Sequence, residues 1–163
     1  MSRLIRGATI VLFALPLGFV LLPALTNGPV HMSAVGLFVA AMYAAIWIWW
    51  RPGRFDVSPS IVRIVFPGRS REIPTQEVAV CRPLTPGEFR TEFGRAIRIG
   101  IGGLWGGFGW LYTTKRGLID FYVSRTDGFV VLERHHRRSI LITPERPERF
   151  AEVVTASLTQ VAV

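Results

Sequence analysis

Charge is missing from one long stretch of this chain. From Gly7 to Trp50 there is no Lys, Arg, Asp or Glu, and no acidic residue occurs before Asp56. A water-soluble domain distributes charge over its surface, so so long an uncharged segment is not built to face water. Cysteine is almost absent too. Cys81 stands alone, which excludes an intrachain disulfide and any CxxC zinc or redox motif. Histidine is limited to His31, His135 and His136, too scattered for a recognisable triad or zinc site, and no HExxH, GxSxG or Cys/His dyad occurs. Enzyme activity, a cofactor and a metal are therefore not expected. Lys115 is the single lysine, and that bias toward arginine carries no mechanistic weight.

What charge there is gives a net +8, shared by both parts of the chain. Arg3, Arg6, Arg51 and Arg54 flank the apolar stretch, where a membrane surface explains a basic excess better than nucleic acid does. No nucleic-acid partner is expected. The change in composition divides the chain into residues 1–53, a helical hairpin, and residues 54–163, a separate domain.

A hydrocarbon core of about 30 Å takes roughly 20 helical residues, and residues 7–25 and 30–50 each supply one span. Thr26-Asn27-Gly28-Pro29 between them is a concentration of turn formers, so the two helices should be antiparallel neighbours. Arginines lie outside both spans and the connecting loop has none, which orients both termini toward the cytoplasm. Trp47, Trp49 and Trp50, just before Arg51, mark the inner interface. Pro16 and Pro23 interrupt the first span and predict a kink near Pro16. A cleaved signal peptide over residues 1–26 is the competing reading, opposed by the length of the apolar stretch and by the poor cleavage sequence Ala24-Leu25-Thr26. In the second span Gly36, Ala40 and Ala44 recur every four residues, a smooth face for close helix packing. That face fits a homo-oligomer or partner contact, or packing on the chain's own first helix.

Beyond Gly53 the pattern becomes short apolar runs of period two separated by Gly, Pro and polar turns. Strands are expected at 54–58, 60–66, 71–84 with an irregularity at Pro74, 96–101, 117–125, 129–134 and 139–143, seven in all. Ile97, Ile99 and Ile101, then Ile119, Phe121 and Val123, should face inward, and Asp127-Gly128 signals a tight hairpin. Pro147 opens a last element in which Phe150, Val153, Val154, Leu158 and Val161 recur at helical spacing. A nearly closed sheet has an open end to be covered, and this helix is a natural cover.

Phe55-Asp56-Val57-Ser58 leading into 61–66, Arg71-Glu72-Ile73-Pro74, Leu104-Trp105-Gly106-Gly107-Phe108-Gly109-Trp110, Phe129 to Glu133, and Ile140-Leu141-Ile142-Thr143-Pro144 together resemble the bacterial pleckstrin-homology (PH) families. The likeness covers roughly residues 54–160. It implies an α+β protein in which two transmembrane helices precede a PH-like seven-stranded antiparallel barrel capped by a C-terminal helix, and a scaffold role with little chemistry. Many proteins of this kind carry two N-terminal spans. Arg63 and Arg69-x-Arg71 only partly match the basic first hairpin of phosphoinositide-binding PH domains, so that activity is not carried over.

The glycine-rich segment 100–117 lacks the Lys-Ser/Thr of a Walker loop and opens no helix. It is expected to be a long inter-strand loop whose Trp105, Phe108 and Trp110 pack on the barrel or dip into the bilayer interface, with Lys115 and Arg116 near anionic headgroups. His135-His136-Arg137-Arg138 reads as a basic hairpin tip, and Glu88 and Glu92 with Arg90 and Arg95 as the solvated face of a short helix. Three roles follow. The first is a membrane-anchored module that binds a protein partner, by edge-strand addition or at the barrel's open end. The second is a sensor of anionic membrane lipids through Lys115, Arg116, Arg137, Arg138 and the glycine-aromatic segment. The third is an accessory subunit of a membrane enzyme or transport complex.

Overall fold

A computed structural model describes residues 3–102 and 104–161, without the side chains of residues 3, 4, 160 and 161. Two helices come first, α1 (Arg3–Thr26) and α2 (Val30–Trp49). Each is long and apolar enough to cross a membrane, and only 17% of each apolar window is buried within the protein. The core helix of a soluble protein would be mostly covered. Helix α1 runs through Pro16 and Pro23. At its end Asn27 takes a φ of 50°, and the Gly28 N–H donates to the Pro23 carbonyl at 2.8 Å, satisfying a carbonyl that the last turn would otherwise leave open. The helices then pack antiparallel. Gly36 meets α1 so closely that a Cβ there would stand 2.8 Å from Val20 Cγ2 and 3.0 Å from the Pro16 carbonyl.

The remaining elements are β1 (Arg54–Val57), β2 (Ile61–Val65), β3 (Ser70–Pro74), a 3₁₀ turn (Thr75–Glu77), β4 (Val78–Leu84), α3 (Pro86–Phe93), β5 (Ala96–Gly102), β6 (Gly107–Thr113), β7 (Gly117–Val123), β8 (Phe129–Arg134), β9 (Arg137–Ile142) and α4 (Pro147–Val161). Strands β1-β2-β3 form one antiparallel sheet and β4-β8-β9-β7-β6-β5 a second. The α+β class and the covering C-terminal helix are as the sequence implies, with nine strands described where seven are expected. One extra strand comes from Pro74, where the run 71–84 breaks between the two sheets. Thr75 anchors that break, its hydroxyl donating to the Pro59 carbonyl at 3.1 Å. The other is β6, discussed below.

The sheets face each other across a core of Val62, Ile64, Phe66 and Ile73 from the small sheet and Phe108, Val130, Leu132, Ile140 and Ile142 from the large one. Phe150, Ala151 and Val154 of α4 close that core, with Phe150 edge-on to Phe55 at 6.2 Å. The opposite face of the large sheet packs Leu111, Ile119, Phe121, Val131 and Leu141 against Phe93 and Phe89 of α3. Each such side chain contributes about 1.5–3 kcal/mol by leaving water. Helix α3 starts with a capping box: Thr85 Oγ1 accepts from the Glu88 N–H, and Glu88 Oε2 accepts from the Thr85 N–H at 2.7 Å. These backbone and hydroxyl bonds from Thr85 hold the Glu88 carboxyl below its ordinary range.

Two expectations fail here. Asp127-Gly128 does not make a tight hairpin, because β7 and β8 are not paired; β9 lies between them, antiparallel to β8 and parallel to β7. The chain needs residues 124–128 to pass over that position, and Gly128 serves the crossing with a φ of 64°. Ile97 and Ile99 do not face inward either, being 65% and 48% exposed. They share a face with Trp110 and Tyr112, their cross-strand partners, at an end of the large sheet that the three-stranded sheet does not reach. Ile119, Phe121 and Val123 do point into a core, on the other face. The place of Val161 in the apolar stripe of α4 lies outside the described side chains, as Gly103 lies outside the described residues.

Candidate functional site

The glycine-aromatic segment expected as a loop is instead largely strand β6, paired with both β5 and β7. Glycine makes this possible where the two strands press together. Gly100 and Gly109 are registered opposite each other with φ of 140° and 124°. A Cβ on Gly100 would stand 2.5 Å from the Phe108 carbonyl, and one on Gly109 2.7 Å from that of Ile99. Phe108, Trp110 and Tyr112 alternate with these glycines, so all three point to the same face.

The tip of this hairpin reaches the helices. Leu104 and Trp105 pack with Tyr43 and Ile46 of α2 and Leu12 of α1, and the Trp105 N–H donates to Thr9 Oγ1 at 3.0 Å. Phe13 meets the Trp105 ring edge-on at 5.6 Å, while the Arg51 guanidinium lies 5.9 Å above it. Trp105 thus packs on the helical hairpin. A second tether comes from the β2–β3 turn: the Gly68 N–H donates to the Ile48 carbonyl at 3.1 Å, and Arg69 Nε to the Trp49 carbonyl at 3.0 Å. These bonds satisfy carbonyls at the end of α2.

Between the two tethers an open groove of about 1150 Å³ runs from Trp50 at the end of α2 up to the β8–β9 turn. One wall is the uncovered sheet face, with Ile99, Ile101 and Trp110; the other is basic, with Arg69, Arg71, Arg134, Arg137 and Arg138. Asp120 sits in the floor, 6% exposed. Its Oδ2 accepts from Arg71 Nη2 at 2.6 Å and lies 3.6 Å from Arg134 Nη2. Burial works against the Arg71 charge, but the Asp120 hydrogen bond and Tyr122 outweigh it, so its pKa stays above the ordinary value. Arg134 goes the other way: burial, and then the nearby Arg71 charge, lower its pKa.

Of the residues singled out from the sequence, Phe108, Trp110, Arg116, Arg137 and Arg138 come together along this groove, Phe108 as buried floor. Arg116 is held from behind by Glu92 at 2.5 Å and Glu133 at 2.9 Å, a network that Arg82 joins. Glu92 is thereby separated in role from Glu88, and the two make no paired-carboxylate site. Lys115 lies elsewhere, its Nζ donating to the Thr91 carbonyl at 2.6 Å. In the hairpin Gly36 is taken up by α1, whereas exposed Ala40 and Ala44 line a second, apolar groove of about 530 Å³ with Phe13, Leu17 and Trp47. Asp120 and Arg134 were not singled out by sequence, and Arg71 was noted only in the partial match to a basic first hairpin. The available signal was Asp120, an acid inside the otherwise apolar run 118–123.

Two facing antiparallel-rich sheets with a C-terminal helix over the shared core define a PH-like domain. Residues 53–157 match the family model described as Bacterial PH domain, and the chain belongs to that family. No curated protein and no solved structure matches it.

Proposed function

We propose that this protein is a non-catalytic interaction module anchored in the bacterial cytoplasmic membrane. In this reading α1 and α2 cross the bilayer with both chain ends inside, and the PH domain at the inner surface binds a protein partner by adding an extended segment to β5. The observation that carries it is the state of β5, a seven-residue edge strand of the large sheet. It has no proline or lysine, no described residue covers it, and Ile97 and Ile99 stand exposed beside its open edge. Arg98, on the opposite side of the strand with its guanidinium 5.3 Å over Phe121, favours a partner that alternates apolar with acidic residues.

Photo-crosslinking tests this in full-length protein within its native membrane. A crosslinker at Ile97 should give a discrete adduct with another protein, and one at Arg63, on the small sheet, should not. Adducts at Arg63 equal to those at Ile97 would remove the reading. The anchor has its own test: carbonate washing should leave the chain in the membrane fraction, and protease outside sealed cells should leave residues 54–163 intact.

A further inference from the structure

We propose that the groove beside Trp50 is a binding site for an anionic phospholipid, whose phosphate lies among Arg71, Arg134 and Arg138 and whose apolar part lies along Ile99, Ile101 and Trp50. This goes beyond the edge-strand reading, because it uses the floor and basic wall of the groove and leaves the open backbone of β5 free.

The first ground is a count of partners. Arg69 is engaged by the Trp49 carbonyl and the Phe66 ring, Arg116 by Glu92 and Glu133, and Arg137 by Glu77 at 3.4 Å. That leaves Asp120 shared by Arg71 and Arg134, and Glu77 shared by Arg137 and, at 3.8 Å, Arg134, while Arg138, which is exposed, has no acidic partner among the described residues. The groove therefore holds more guanidinium than carboxylate.

The second ground is Arg134 itself. Its side chain is 6% exposed, yet only its Nε has a hydrogen bond, to the Arg138 carbonyl at 2.8 Å. Its terminal nitrogens approach Asp120 and Glu77 at 3.6 and 3.8 Å, beyond hydrogen-bond length. No buried side-chain nitrogen lacks a partner among the described residues, so the terminal nitrogens of Arg134 still reach the groove, where an oxyanion can accept charge-assisted hydrogen bonds from them. The pKa of Arg134 is depressed, since burial and the Arg71 charge both oppose its protonation.

The third ground selects a lipid over a soluble anion. The groove begins at Trp50, where the second apolar helix ends, and one wall is isoleucine and tryptophan. Free phosphate has no use for such a wall, whereas a headgroup lifted slightly from the bilayer would keep its first methylenes on it. The groove also lies away from the β1–β2 turn (Ser58–Ser60), so it is distinct from the first-hairpin arrangement of phosphoinositide-binding PH domains.

Native mass spectrometry of the full chain in mild detergent, titrated with phosphatidylglycerol or phosphatidylcholine of identical chains, tests the site. The expected result is one phosphatidylglycerol held at least about tenfold more tightly than phosphatidylcholine, a preference of about 1.4 kcal/mol. Arg134→Met should abolish the preference. The exposed pair R137Q/R138Q, which does not threaten folding, should weaken it by about threefold or more. R63Q, on the small sheet, should leave it unchanged. Equal retention of the two lipids, or unchanged preference in R137Q/R138Q and Arg134→Met together, would overturn the proposal. So would millimolar inorganic phosphate that displaces phosphatidylglycerol, which would assign the arginines to a soluble anion. None of these outcomes bears on the Ile97 crosslink, so the two readings fail separately.

Discussion

The two ends of the six-stranded sheet are made from similar sequence and have opposite fates. At the β4-β8-β9 end, Val130, Val131, Leu132, Ile140, Leu141 and Ile142 are all at most 1% exposed, because the small sheet and α4 cover one face and α3 the other. At the β5-β6 end, Ile97, Ile99, Trp110 and Tyr112 alternate just as regularly and are 48–65% exposed. Period-two alternation therefore says that a strand has two faces; a covering layer decides which face is inside. The open end is the one adjoining the helical hairpin, so an uncovered apolar surface and a basic groove lie together where α2 ends. Exposed apolar side chains clustered in this way mark a contact surface more often than an accident of folding.

The sharpest way to break this comparison is to cut into the covered end. Leu132→Ala should cost about 2–5 kcal/mol in denaturant unfolding of the detergent-solubilised chain. Cys81, the cross-strand partner of Leu132, reports the same opening chemically. Burial pushes its thiol up to about 12 from 9.0, so at pH 8 it should alkylate only when the domain opens, and Leu132→Ala should speed that reaction. The sign with pH follows. Above pH 9 the unfolded thiol ionises while the folded one stays protonated, so its contribution to stability declines as pH rises from 9 toward 12. Rapid alkylation of the wild type at pH 8 would mean that the covered end is not closed.

Next in size is the glycine crossing of the open end. Gly109→Ala forces a Cβ toward the Ile99 carbonyl at a φ of 124°, and should cost about 1–3 kcal/mol. Because β5 is outermost, hydrogen exchange should rise in β5 and β6 while β8 and β9 stay protected. A uniform rise across all strands would show that the ends are not separable.

How much of this was legible beforehand follows the same division. The helical hairpin could be read because a bilayer imposes a length and excludes charge, and residues 7–50 meet both conditions without reference to the rest of the chain. Helix α4 and the break at Pro74 were legible for similarly local reasons. Strand β6 was missed because six glycines between Gly100 and Gly109 suppress strand propensity, although Phe108, Trp110 and Tyr112 kept the period. Gly100, Gly106 and Gly109 serve close backbone approach, which only the paired strand reveals. The groove was least legible: Asp120 and Arg134 lie on β7 and β8, which β9 separates, and Arg71 on β3 of the other sheet, so only the tertiary packing of the two sheets brings them together. The basic tip at Arg137-Arg138 was visible in sequence, but not the buried Arg134 beneath it.

The smallest effect belongs to the open face, and it is the most informative about function. I97T/I99T keeps β-branched side chains on β5 and removes apolar surface that is already in water, so stability should change by no more than about 0.5 kcal/mol. If that face exists for folding, partner capture at β5 will be as indifferent as stability. If it exists for contact, the same variant, folded and inserted as before, loses most of the crosslink formed from a neighbouring probe at Arg95, since the isoleucines supply the apolar contacts that an added strand needs alongside its backbone bonds. A stability loss of several kcal/mol would instead place Ile97 and Ile99 in a core and erase the distinction between the two ends.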